Sequence, residues 1–157
     1  MASQASSLEK LQFGTFTLGP QLFGVNILQM REIIRPIEVT KVPKATDIIE
    51  GVINLRGEVI PIVSLRARFG MPPKSFDKET RIINIEIDNI VVGFIVDTIG
   101  HVHTLDQTTI EQPPAVVASV DSEYISGIAK LTDNLLILLN VEKLVPLETL
   151  QSFVQQA

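Results

Sequence analysis

Residues 51–65 read GVINLRGEVIPIVSL. Two apolar runs, Val52–Leu55 and Val59–Val63, flank a short polar break, Arg56-Gly57-Glu58. Aliphatic and β-branched side chains suit a pleated, half-buried backbone, and a brief glycine-containing break between two such runs signals a β-hairpin. Leu55 and Ile62 are expected in its core. The hairpin offers no nucleophile, no general base and no ligand set, yet it carries an arginine at its tip.

Working outward, the stretch has a counterpart. A shift of 76 residues lays it on GIAKLTDNLLILLNV, with Gly51 on Gly127 and Leu55 on Leu131. Val59, Ile60, Ile62 and Val63 then fall on Leu135, Leu136, Leu138 and Leu139, and the polar break falls on Thr132-Asp133-Asn134. Upstream, a shift of 69 puts Phe16 and Leu18 on Ile85 and Ile87, the turn Gly19-Pro20 on Asp88-Asn89, and Gly24 on Gly93. Turns and glycines match in order, which reads as a duplicated β unit. Each half holds about five strand candidates closely spaced by turns, a pattern of small barrels or sandwiches rather than of a parallel sheet. Closure into a barrel removes the open edges of a five-stranded sheet. The expectation is all-β, with two five-stranded barrels packed together and a groove between them.

The halves span approximately residues 13–70 and 80–146 of one domain at 8–157. The segment GMPPKSFDKE marks the boundary. Whether strands are exchanged between the halves is left open. Residues 1–7 are small and polar and are expected to be disordered. Asn26, with Gln29 three residues on, could cap a short helical turn. KATDIIEG reads as a short helix closed by Gly51. In RIINIEID, Ile83, Ile85 and Ile87 occupy one face of a strand and Asn84 and Glu86 the other. After Pro146, Leu147, Leu150, Phe153 and Val154 recur at helical spacing and suggest a short amphipathic C-terminal helix.

The chain has 157 residues, a net charge of −5 and no cysteine. Disulfides, thiolate metal sites and a cysteine nucleophile are excluded. An acidic chain with scattered cations is a poor phosphate binder, which argues against nucleic acid. No apolar run approaches the length of a membrane span, and the N-terminus lacks a signal-peptide pattern. His101 and His103 alternate in GHVHTL and could face one side of a strand. A metal needs three or four convergent ligands, and Asp97 and Asp106 are the nearest acids. This metal-dependent enzyme is the remote alternative; two surface histidines is the simpler reading. No serine sits in a nucleophile elbow, and INLRGEVI lacks the spacing of a phosphate loop. What remains is a charged pair, Glu32 and Arg56. It reads either as a surface salt bridge or as an arginine held out to meet a partner.

The motifs FGVNILQMREIIRP, VTKVP, IEGVINLRGEVIPIVSLRARFG and VVGFIVDTI, in this order, resemble the CheW family of bacterial chemotaxis adaptors. The likeness runs from Phe13 to Val145, and the N-L-R-G hairpin is its most specific part. Ser64 departs from the family, which often carries Asp there. With no receiver or kinase segment attached, the chain resembles the free adaptor rather than the CheW-like domain of a CheV protein or of the kinase.

The resemblance implies two SH3-like barrels, no catalysis, no cofactor and a monomeric, cytoplasmic protein recruited to membrane-associated receptor arrays without inserting into the membrane. It implies two partners, the regulatory domain of the histidine kinase CheA and the cytoplasmic hairpin tip of chemoreceptors. Carried over by position, the receptor-facing residues are Met30, Arg31, Glu32, Ile33, Arg56, Val92, Gly93 and Phe94. The kinase-facing residues are Val42, Pro43, Ala115 and Val116. An adaptor of a parallel chemosensory pathway is the alternative within the class.

Overall fold

Twelve strands account for most of the structure, a computed structural model that describes residues 10–42, 48–114, 116–117 and 120–145. They are β1 (Lys10–Leu18), β2 (Gln21–Asn26), β3 (Met30–Ile34), β4 (Ile49–Leu55), β5 (Glu58–Ser64), β6 (Arg81–Ile87), β7 (Ile90–Val96), β8 (Thr98–Asp106), β9 (Val116–Val117), β10 (Val120–Asp121), β11 (Ile125–Lys130) and β12 (Leu135–Leu139). Two single-turn helices, α1 (Leu65–Arg68) and α2 (Val141–Leu144), follow β5 and β12.

Turn chemistry forms the hairpins. Arg56 and Gly57 link β4 to β5 with φ of 52° and 85°, and Asp88 and Asn89 link β6 to β7 with φ of 49° and 68°. Positive φ at both central residues matches the right-handed twist of the strands they join. Asn26 accepts a hydrogen bond from the Leu28 amide at 2.9 Å and caps the 3-10 turn Ile27–Gln29, as its spacing suggested. The short helix read in KATDIIEG is corrected where it can be seen. Ile49, Glu50 and Gly51 belong to β4. Gly51 sits at a register shift with φ of 154°, and a Cβ there would collide with the Thr40 carbonyl. Strand pairing there outweighs the local helical pattern.

One sheet has the order β11-β12-β2-β1-β8, the other β4-β5-β7-β6-β3. The two orders are equivalent under the duplication, down to a parallel pairing of β12 with β2 and of β5 with β7. Strand β3 leaves the hairpin β1–β2 and pairs with β6; β8 leaves β6–β7 and pairs with β1. Each sheet therefore draws on both stretches 13–70 and 80–146, which divide the sequence repeats rather than the sheets. The C-terminal helix expected after Pro146 lies outside the described residues.

Each sheet encloses a small apolar interior. One holds Ile53, Ile60, Ile62, Ile82 and Val91, the other Phe13, Ala129, Leu136 and Leu138. The largest cluster fills the seam between them, with Phe16, Phe23, Ile83, Ile85, Val92 and Phe94. The protein is all-β, two packed SH3-like barrels. Strands β6 and β7 are buried on both faces, so IVVGFIV is an almost unbroken apolar run. Asn84 and Glu86 share the face opposite the isoleucines, as the alternation indicated, but Asn84 is 1% exposed inside a barrel while Glu86 reaches the surface. Ile62 is fully buried, whereas Leu55 is only half-buried at the hairpin end.

Candidate adaptor surface

Strand β3 forms the edge of its sheet and bulges at its start. Met30 pairs with Ile85 and Glu32 with Asn84, leaving Arg31 as the extra residue. A bulge re-aims the side chains around it. Arg31 is exposed and lies 3.7 Å from Glu86. Met30 is half-buried at the seam, where Gly14 of β1 leaves room for its thioether. Ile33 is 43% exposed.

Across the barrel, the Arg56 guanidinium donates to the Glu32 carboxylate at 2.5 Å. The bridge ties edge strand β3 to the tip of β4–β5. Side-chain exposure is 69% for Arg56 and 33% for Glu32, so the pair contributes about 0–1 kcal/mol. The turn is also braced by Asn54, whose side-chain oxygen accepts from the Gly57 amide at 3.0 Å. Arg56 itself occupies the left-handed region, which costs a residue with a Cβ about 1–2 kcal/mol. A favourable turn residue such as asparagine would avoid most of that cost, so local stability does not explain the arginine.

Three of the expected receptor-facing residues are not surface residues. Val92 and Phe94 are fully buried in the seam. A Cβ on Gly93 would lie 2.6 Å from Ile62 and 2.8 Å from Ile82, inside the barrel. Strand β7 is the middle strand of five, covered on both sides, so none of the three can touch a partner directly. The arrangement brings together Glu32 and Arg56, flanked by Met30, Arg31 and Ile33. Of the expected kinase-facing residues, Val42 packs half-buried on the main core. Val116 lies in β9, paired with Asp121. Pro43 and Ala115 are outside the described residues.

The strongest polar lock went unread in the sequence. Arg66 donates from Nε to Asp97 at 3.1 Å and from Nη2 at 2.5 Å, and from Nη1 to the Pro72 carbonyl at 2.8 Å. Asp97 also accepts from the Gly19 amide at 2.7 Å. Helix α1, the β1–β2 turn and the β7–β8 crossing thus meet at one carboxylate. Burial pushes the Asp97 carboxyl up, but the Arg66 hydrogen bonds, the Gly19 amide and the nearby positive charges outweigh it and hold it below the usual carboxylate range. The Arg66 guanidinium is pushed up, chiefly by its hydrogen bond to Asp97. A lone acid in VVGFIVDTI, at the end of an apolar run, was the available signal, because a buried carboxylate needs a partner. Ser64 caps α1, accepting from the Ala67 amide at 3.1 Å, a role aspartate fills equally well.

His101 is exposed and His103 half-buried on edge strand β8. Among the described residues no three His, Asp or Glu side chains group to hold a metal, and no helix is long and apolar enough to cross a membrane. Two packed barrels with a braced arginine at the rim of one define an SH3-like fold with a candidate binding surface.

Comparison with known proteins gives the family. Residues 12–148 match the model of the CheW-like domain. The chain is 36% identical over 137 residues to a chemotaxis protein CheW from Klebsiella aerogenes, covering 87% of this chain and 82% of that protein. It is 34% identical over 139 residues to CheW of Bacillus subtilis, covering 88% and 89%. In three dimensions it resembles the scaffolding protein TtCheW from Thermoanaerobacter tengcongensis with a TM-score of 0.79 and 36% identity over 85% of this chain and 86% of that one. The chain belongs to the CheW family, and it is a non-enzymatic chemotaxis scaffold.

Proposed function

We propose that the protein couples chemoreceptors to the histidine kinase CheA, holding the cytoplasmic hairpin tip of the receptor and the regulatory domain of the kinase in one geometry at membrane-associated arrays. A receptor rearrangement then biases the kinase because both are tied to one rigid body. The receptor surface consists of Met30, Arg31, Glu32, Ile33 and Arg56; Val92, Gly93 and Phe94 support it from beneath. The kinase surface comprises Val42, Pro43, Ala115 and Val116. The observation that carries the receptor reading is the Glu32–Arg56 bridge, with an arginine kept in a backbone conformation that disfavours it. Arg is well suited to such a role because its planar fork makes directional contacts. Titration calorimetry against a receptor hairpin-tip fragment tests it. Arg56→Glu should abolish or strongly weaken binding, with the circular dichroism spectrum unchanged. Unaltered affinity in that variant would overturn the receptor assignment.

A further inference from the structure

Asn84 lies on the interior face of the β4-β5-β7-β6-β3 barrel, two residues along β6 from Ile82 on the same face, and is 1% exposed. Among the described residues, neither its side-chain nitrogen nor its side-chain oxygen has a hydrogen-bond partner. A buried carboxamide left unpaired costs stability that an aliphatic side chain of similar size would not. Like the arginine at the hairpin tip, it is a residue that local stability does not explain.

Its cross-strand neighbours show what it faces. Strand β6 runs between β3 and β7, and Asn84 is paired with Glu32 on one side and with Gly93 on the other. Directly paired residues share a face of the sheet, with Cβ atoms about 4.5–5.5 Å apart. The bulge at Arg31 sets this face: Met30, before it, packs on the seam, while Ile34, two residues beyond Glu32, packs with Ile82 in the barrel interior. On the β7 side Gly93 offers no side chain, and a Cβ there would lie 2.9 Å from the Asn84 oxygen. On the β3 side stands Glu32. Its side chain is 33% exposed, at the boundary between the barrel interior and solvent, and its Oε1 accepts from the Arg56 guanidinium at 2.5 Å.

We propose that Asn84 is a positioning residue that acts through Glu32: its side-chain amide is a second partner for the Glu32 carboxylate, taken up when Arg56 lets go. Glu32 then has two resting places, outward on Arg56 and inward on Asn84. A rotation of the Glu32 side chain suffices to exchange them, because the two residues are already direct neighbours. When Arg56 turns its fork to a carboxylate of the receptor tip, the geometry that suits a guanidinium best, Glu32 is not left as a lone charge at the barrel mouth. The unpaired amide of the free protein is satisfied in the bound one. The identity of the partner rests on the receptor reading; the exchange within the protein does not.

Nuclear magnetic resonance on the full-length protein tests the exchange without any partner. Arg56→Gly suits the turn and removes the guanidinium. It should move the Asn84 carboxamide proton signals downfield and slow their exchange with water, and adding Glu32→Ala should return both to their wild-type values. Unmoved signals overturn the proposal. So does the same movement with and without Glu32, because the amide would then be answering to a buried water or to a loosened barrel. Titration calorimetry with a receptor hairpin-tip fragment tests the consequence. Asn84→Val should raise the denaturant midpoint yet bind the fragment about three- to tenfold more weakly, whereas Asn84→Thr, of the same shape as Val with a hydroxyl donor, should recover part of the affinity. Equal affinity in Asn84→Val and the wild type would refute the positioning role. If the wild-type protein itself does not bind the fragment, the receptor reading fails, and the Arg56→Gly spectra still decide whether Asn84 takes Glu32.

Discussion

Arg56 sits at a turn position where Asn, Asp or Gly normally serves, beside Gly57. The substitution Arg56→Asn therefore separates two roles. It should leave stability unchanged or raise it by up to about 1 kcal/mol, by relieving the left-handed strain. It should also weaken receptor binding. Chemical denaturation and calorimetry on one preparation check both halves, and a clear loss of stability would mean that the arginine is structural. Asp97 is the converse case. Its carboxyl is held low in the folded state, so its contribution is fully present above the unfolded value near 4 and is lost as pH falls through the folded value. Asp97→Asn should cost about 3 kcal/mol at neutral pH, because Arg66 loses its partner while 17% exposed. The same variant should flatten the stability decline below about pH 4, measurable by denaturant midpoints across an acid series.

Among the elements, the hairpin β4–β5 is buried on both faces of β5 from Ile60 to Val63 and becomes exposed toward its turn. Ile62 is buried without exposure, so Ile62→Ala should cost about 2–5 kcal/mol. Leu55→Ala should cost clearly less, being half-buried at the turn. Equal losses in the two melting curves would show that the hairpin end is more enclosed than its packing indicates. Strand β7 supplies a further test, since a Cβ at Gly93 would meet Ile62, Ile82 and the Asn84 side chain within 3 Å. Gly93→Ala should cost about 1–3 kcal/mol through overpacking. Any effect of that variant on partners should then scale with its loss of folding, because Gly93 never reaches the surface.

At the scale of the molecule, an adaptor must hold two partners at once, so their footprints cannot coincide. Two barrels offer room for two interfaces of about 600–1,000 Å² per partner. Pro43→Ser combined with Val116→Asp should reduce binding of the kinase regulatory domain and spare the receptor fragment. Arg56→Glu should do the reverse. Parallel titrations decide it; equal loss of both partners in folded variants would refute separate surfaces. The rigidity this scheme needs comes from the seam, where Phe16, Phe23 and Phe69 stack in series at 5.8 Å and 5.5 Å.

Local rules sufficed for most of the strands, the hairpin turns and the repeat, though not for the start of β4, where KATDIIEG reads locally as a helix. Alternation, glycines at turns and the two offsets in GVINLRGEVIPIVSL and its counterpart all act over a few residues, and each leaves a pattern in the chain. The same near-neighbour logic pointed to Glu32 and Arg56, because charges at the rim of apolar strands stand out. It failed wherever the outcome depended on what arrives from far along the chain. Alternation put Asn84 on one face with Glu86, but nothing local says that the barrel closes over Asn84 and leaves Glu86 exposed. Val92, Gly93 and Phe94 were expected to face the receptor only from the family resemblance, and the neighbouring strands β5 and β6 and the opposite barrel enclose them. Arg66 and Asp97 lie 31 residues apart and meet only because α1 folds against the β7–β8 crossing. Most of all, the exchange of β3 and β8 between the sheets could not be read locally. In a duplicated chain each edge can accept either copy of a strand with nearly the same pattern, and only the packing of the whole seam selects between them.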